Sequence, residues 1–110
     1  MSISADILRG HTDTIILAQL AAGDSYGYEI GKNVSQLSGG AAGFKEATLY
    51  TAFRRLEENG MISSYWGQEG PGARRRYYAI TQAGRDQLDA DRREWSETKA
   101  ALDALIVKED

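Results

Sequence analysis

The chain has 110 residues, no cysteine, and a net charge of −3 from 13 basic and 16 acidic side chains. That length suits one domain with its own core and no metal or disulfide staple. Without cysteine there is no disulfide framework, thiolate metal site or thiol nucleophile, and no apolar run approaches the ~20 residues of a membrane span.

The N-terminus lacks the basic-then-apolar order of a secretory leader, so the cytoplasm is the expected location. An acidic total weighs against a nucleic-acid partner, but distribution matters more than the sum. Residues 1–40 carry a net −2, residues 41–80 a net +2 and residues 81–110 a net −3. Only the middle segment is positive, which permits a basic face on an acidic body.

Residues 6–21 are expected as a first helix, with Ile7, Leu8, Ile15, Ile16, Leu17 and Leu20 on a wide apolar face and Gly10 to Asp13 as a polar or small patch in its middle. Gly23-Asp24-Ser25 is a turn offering an N-cap. A second helix follows over 25–37, with Tyr26, Ile30, Val34 and Leu37 on one stripe. Residues 38–43 are too glycine-rich for regular structure.

The third helix lies within 44–60. Leu49, Phe53 and Leu56 recur at i, i+4 and i+7, one face of a 3.6-residue period. Thr48, Thr51, Arg54, Arg55 and Glu58 point elsewhere, and Gly60 sits where a left-handed residue ends a helix. Such a helix can lie against DNA or serve as an ordinary amphipathic element.

Met61 to Trp66 changes the period to two and reads as a strand. Gln68 to Ala73 is a turn holding the chain's only proline, Pro71, where no ladder hydrogen bond is lost. Arg74 to Ile80 is the returning strand. Trp66 is expected to pack between this hairpin and the helices before it. Thr81 caps a last helix over 82–107, in which Leu88, Trp95 and Leu102 are spaced by seven, a spacing that favours a helix partner along a narrow seam. Asp91, Arg92, Thr98 and Lys99 interrupt the seam, which argues against a strict coiled coil.

Three helices, a hairpin and a helix make a mainly α fold with a small β-hairpin. The order is that of a winged helix-turn-helix over residues 1–81, followed by a dimerisation helix over 82–110. In it the third helix enters the major groove and the hairpin is the wing. Arg74, Arg75 and Arg76 follow the wing tip, where clustered arginine can meet phosphates. They can equally form a solvated face paired with Glu57, Glu58 or Glu69, and such exposed pairs contribute little stability.

Ala47-Thr48-Leu49-Tyr50-Thr51-Ala52-Phe53-Arg54-Arg55-Leu56-Glu57-Glu58-Asn59-Gly60-Met61-Ile62 resembles the helix-3 signature of the PadR family of transcriptional regulators. Gly72 to Gly84 resembles its wing-strand signature, and Ser25-Tyr26-Gly27-Tyr28-Glu29-Ile30 is a weaker third block. The likeness spans roughly residues 5–106 and is to the family's short branch with a single C-terminal helix. Ile62 to Gly67 and a tryptophan midway along the last helix resemble its LmrR-type, multidrug-responsive members.

The resemblance implies a transcriptional regulator, expected as a repressor, that binds an inverted-repeat operator in double-stranded DNA as a homodimer. It implies a phosphate contact from Tyr50, and backbone or base contacts from Thr48, Thr51, Arg54 or Arg55. Lys45, Arg74, Arg75 and Arg76 add phosphate contacts, and Gly72 lets the backbone approach DNA.

In the multidrug-responsive branch the tryptophan matching Trp95 faces its symmetry mate and sandwiches flat aromatic ligands, which stack on two indoles with ~0.5–1.5 kcal/mol beyond area burial. The last helix also carries apolar positions that a 110-residue monomer struggles to cover, which favours a dimer on physical grounds. Polar neighbours of Trp95, namely Asp13, Thr14, Asp91, Arg92 and Lys99, suit a planar and partly charged effector. Trp95 can instead be a dimer-core anchor that binds nothing else.

His11 is the chain's one histidine and makes neither a metal site nor a triad. Gly39-Gly40-Ala41-Ala42-Gly43 lacks the preceding strand and the Gly-Lys-Ser/Thr ending of a phosphate loop. No enzyme, cofactor or metal chemistry is expected. The rival function is a winged-helix module that binds protein, without a ligand response.

Overall fold

The computed structural model describes residues 2–68 and 74–109. Its elements are α1 (Ala5–Arg9), α2 (Thr12–Ala21), α3 (Gly27–Leu37), α4 (Glu46–Glu58), β1 (Ile62–Trp66), β2 (Arg76–Ile80) and α5 (Gln82–Leu102), with a π-helical turn at Asp103–Val107. The strands form a two-stranded antiparallel hairpin in which Ile62 pairs with Ile80 and Trp66 with Arg76. The hairpin turn expected at residues 68–73, with Pro71 and Gly72, falls almost wholly outside the described residues. The architecture is the mainly helical winged helix-turn-helix expected from the element order.

One core joins all of these layers. Ile16, Leu17 and Leu20 of α2, Ile30 and Val34 of α3, and Leu49, Ala52, Phe53 and Leu56 of α4 meet Ile62, Tyr78 and Leu88. Phe53 and Tyr78 stack at its centre, with ring centroids 4.1 Å apart. The i, i+4, i+7 stripe of α4 is therefore the buried face, and Thr48, Thr51, Arg54, Arg55 and Glu58 are exposed.

Four boundaries differ from the sequence expectation. The first helix is two, because the backbone of Gly10 and His11 turns between them: the Gly10 N–H donates to the Ile7 carbonyl and the His11 N–H to the Leu8 carbonyl. Glycine is about 1 kcal/mol less favourable than alanine inside a helix, so Gly10 is where the run gives way. α3 begins at Gly27 because Ser25 pairs with Tyr78 in an isolated β-bridge, and the Ser25 hydroxyl donates to Glu29. The last helix changes to π-type bonding after Leu102. The returning strand starts at Arg76, leaving Arg74 and Arg75 ahead of it.

Two apolar side chains are also placed differently. Leu37 is 79% exposed at the end of α3, beyond the reach of the core. Trp66 is not wedged between wing and helices but half exposed, with the guanidinium groups of Arg74 and Arg76 over its ring at 5.8 and 5.4 Å.

Two glycines set the joints around the hairpin. Gly60 has φ +73°, a left-handed conformation that ends α4, and the Met61 N–H then closes onto the Leu56 carbonyl at 2.9 Å. A Cβ on Gly84 would lie 2.2 Å from the Met61 carbonyl oxygen. Only hydrogen fits there, so α5 can seat its first turn on the α4–β1 joint. Thr81 fastens the same seat: its Oγ1 accepts from the Gly84 N–H at 3.1 Å and donates to the Gly60 carbonyl at 2.6 Å.

Candidate nucleic-acid interface

α4 buries one face and turns the other outward, so its short polar residues and cations share one surface. Thr48, Thr51 and Arg54 are exposed there, and Tyr50 keeps 45% of its surface. Lys45 precedes the helix with its side chain unused for capping. Among the described residues Lys45 and Arg54 form no ion pair, so their charges face solvent. The Tyr50 ring stands edge-on to Phe53, 5.6 Å between centroids, and its hydroxyl lies against Gly27 of α3, where a Cβ would stand 3.2 Å away.

Arg55, offered with Arg54 as a DNA contact, already has a partner within the chain. It turns to α2 and grips Asp13 with both arms of its guanidinium: Nε donates to Oδ2 at 3.1 Å and a second nitrogen to Oδ1. Hydrogen bonding to Asp13 raises the Arg55 pKa further above its ordinary value. The pair ties α4 to α2 and engages the Asp13 carboxylate.

The wing arginines divide by strand alternation. Arg76 lies on the Trp66 side, where it donates to Ser64 Oγ at 2.7 Å and sits 3.8 Å from Glu57. Ser64 in turn donates to Glu57 at 2.6 Å. Arg74 is exposed over the Trp66 face. Arg75 projects to the other side, 4.7 Å over the Tyr26 ring. Arg76 is thus paired with Glu57, while Arg74 is exposed beside Trp66. Gly72 lies outside the described residues.

Behind the hairpin, Tyr65 stacks on Tyr77 at 5.7 Å and donates to Asp24 at 2.6 Å, which raises its pKa. This cluster holds the hairpin against the turn before α3.

The second group of residues lies between α1, α2 and α5. A groove of about 490 Å³ is lined there by Ile3, Ile7, Leu8, His11, Thr14, Asp91, Arg92, Glu94 and Trp95 among others. Of the residues grouped with Trp95 in the sequence, Thr14, Asp91 and Arg92 line it with the indole, and Asp13 and Lys99 do not. The Thr14 hydroxyl donates to Asp91 at 2.8 Å and so joins α2 to α5. His11, which sequence reasoning passed over, packs edge-on against Trp95 with centroids 5.1 Å apart. A periodicity within either helix carries no signal for a contact between residues 11 and 95. Trp95 remains 47% exposed and Ile7 59%.

No group of three or more metal-binding side chains occurs among the described residues, and none of their helices is long and apolar enough to cross a membrane.

Residues 16–90 match the family model described as the transcriptional regulator PadR-like family. A transcriptional regulator from Clostridium thermocellum is similar in structure, with a TM-score of 0.87 and 47% identity, covering 94% of this chain and 98% of its own. A PadR family transcription regulator from Clostridium difficile has a TM-score of 0.76 and 35% identity over 87% of this chain and 98% of its own. Bacillus subtilis PadR, solved in complex with operator DNA, shares the fold at a TM-score of 0.66 and 23% identity, covering 72% of this chain and 45% of that one. With its matched core, its hairpin and its outward-facing fourth helix, the chain belongs to the PadR-like family of transcriptional regulators.

Proposed function

We propose that the protein is a homodimeric repressor that reads an inverted-repeat operator with α4 and its wing, and releases it when a planar aromatic effector binds beside Trp95. The exposed face of α4 carries this reading: Thr48, Tyr50, Thr51 and Arg54 point outward from a helix whose other side is locked into the core. Lys45 precedes that helix, and Arg74 and Arg75 precede the returning strand of the wing, where cations can meet phosphates beside a groove-reading helix. Bacillus subtilis PadR, which shares the fold, was solved in complex with operator DNA, and this supports DNA as the partner.

Dimerisation is supported by α5 and the turn beyond it. Trp95, Leu102, Leu105, Ile106 and Val107 are between 45% and 80% exposed, a row of apolar surface that the single chain leaves open. The effector reading is supported by the groove itself. Trp95 offers a ring face, His11 holds the indole from one edge, and Arg92, Asp91 and Glu94 supply charge at the rim.

Footprinting on the DNA upstream of its own gene, with and without flat aromatic dyes, tests the function. A protected inverted repeat is expected, with affinity falling at a log–log slope near −0.9 for each phosphate neutralised. Replacing Arg74 and Arg75 by Ala should flatten the slope by about one unit for each arginine that meets a phosphate. Salt-independent binding, or binding to protein alone, would replace this reading with the protein-docking alternative. Dyes should quench Trp95 fluorescence and weaken operator binding together; quenching by none of them would remove the effector from the scheme.

A further inference from the structure

The outer end of the hairpin is joined to the end of α4 by a chain of hydrogen bonds. Antiparallel pairing sets Ser64 opposite Tyr78 and Trp66 opposite Arg76, and strand alternation puts all four on the face that starts in the core at Ile62. Tyr78 is buried there, while Trp66 and Arg76 continue past the edge of the core into solvent. Glu57, in the last turn of α4, meets the hairpin at that edge. The Arg76 guanidinium donates to the Ser64 hydroxyl at 2.7 Å, and that hydroxyl donates to the Glu57 carboxylate at 2.6 Å. The guanidinium also lies 3.8 Å from the carboxylate and 5.4 Å from the centre of the Trp66 ring. One hydroxyl accepts from the cation and donates to the anion, so each bond polarises the next.

Folding stability does not account for this arrangement. The Arg76 and Glu57 side chains are 42% and 37% exposed, and pairs so open contribute little. For a DNA binder the pair even works against affinity. Sequence-independent binding grows with each phosphate that a cation neutralises, yet Glu57 occupies a cation of the wing and sets an anion at the end of the helix that reads the groove. Specificity, however, is a difference between two affinities. Holding a cation back weakens binding to every duplex alike. A wing locked to α4 at one angle fits only a duplex whose groove and backbone suit both elements together.

We propose that Glu57 is a positioning residue for operator specificity: through Ser64 it holds Arg76 against the end of α4, which keeps that cation off the phosphate backbone and fixes the wing relative to the recognition helix. The proposal rests on the reading of α4 and the wing as the DNA-contacting elements.

The test uses the full chain and two fluorescently labelled duplexes, one carrying the footprinted sequence and one unrelated, with affinities measured across a salt series. Glu57→Gln keeps the length of the side chain and removes its charge. Its log–log slope on the unrelated duplex should steepen by about 0.9 as Arg76 reaches a phosphate. Its preference for the footprinted duplex should fall about fivefold, the scale of one exposed ion pair. Arg76→Ala should lose the same preference but keep the wild-type slope, because that cation meets no phosphate in the wild type. The double variant should keep the slope of Arg76→Ala. Ser64→Ala should move slope and preference in the same direction as Glu57→Gln, by less.

A steeper slope that persists in the double variant would overturn the proposal, because Glu57 would then act by repelling phosphate without Arg76. So would a slope flattened by about one unit in Arg76→Ala alone, which would put Arg76 on a phosphate in the wild type. Wild-type slope and preference in Glu57→Gln would overturn it as well. If Glu57→Gln melts early, Ser64→Ala decides by its slope, since it leaves both charges in place and removes only the hydroxyl between them. A wild-type protein whose duplex binding ignores salt would sink the DNA reading itself, and the proposal with it.

Discussion

The bond between Arg55 and Asp13 separates two roles for one arginine. Asp13→Ala, Arg55→Ala and the double variant form a cycle that measures it. The two side chains are 39% and 48% exposed, so solvent screens the charges. Exposed pairs contribute about 0.2–1 kcal/mol, and a two-armed guanidinium–carboxylate contact belongs near the top of that range. A coupling of roughly 0.8 kcal/mol is expected, with each single variant about as destabilised as the double. At about 4–8 °C per kcal/mol, scanning calorimetry should show each melting some 3–6 °C early. Salt should shrink the difference, because the pair is partly exposed. The DNA salt slope of Arg55→Ala should match the wild type, since its guanidinium is engaged by α2. A slope flattened by about one unit with unchanged melting would refute the pairing and return Arg55 to the DNA face.

Gly84→Ala should destabilise the fold by about 2 kcal/mol or more, since a methyl 2.2 Å from the Met61 carbonyl forces α5 off its seat and outweighs the gain in helix propensity. Chemical denaturation measures it, and a neutral result would mean that α5 can shift without cost. Burial beside Phe53 raises the Tyr78 pKa above its ordinary value near 10. The unfolded chain therefore ionises this hydroxyl first, so its contribution is complete below pH ~10 and declines as pH rises through the folded pKa. Tyr78→Phe should flatten that alkaline limb in urea melts, leaving the share from Tyr65, whose hydroxyl donates to Asp24. An unchanged limb would show that Tyr78 ionises alike in both states.

The amino-acid order alone determined the elements that repeat. Leu49, Phe53 and Leu56 define the buried face of α4 because a helix brings every third or fourth residue to one side, and their spacing already contains that geometry. Gly60 as a helix end, Thr81 as a cap and the hairpin between them rest on equally local rules, and all three hold in the structure. So does the outward set of Thr48, Thr51, Arg54, Arg55 and Glu58.

Tertiary structure decided whatever depends on a partner distant in the chain. Arg54 and Arg55 are equivalent by periodicity, yet only Arg55 meets Asp13, 42 residues earlier. Trp66 looks like a core residue by type, but the strand pairing that sets it opposite Arg76 turns it outward under two guanidinium groups. His11 gained a neighbour in Trp95, and Gly27 one in Tyr50, through packing between elements. Spacing along one helix encodes which side of it is apolar. Which charged or aromatic group waits across the gap is set only when the helices close on one core.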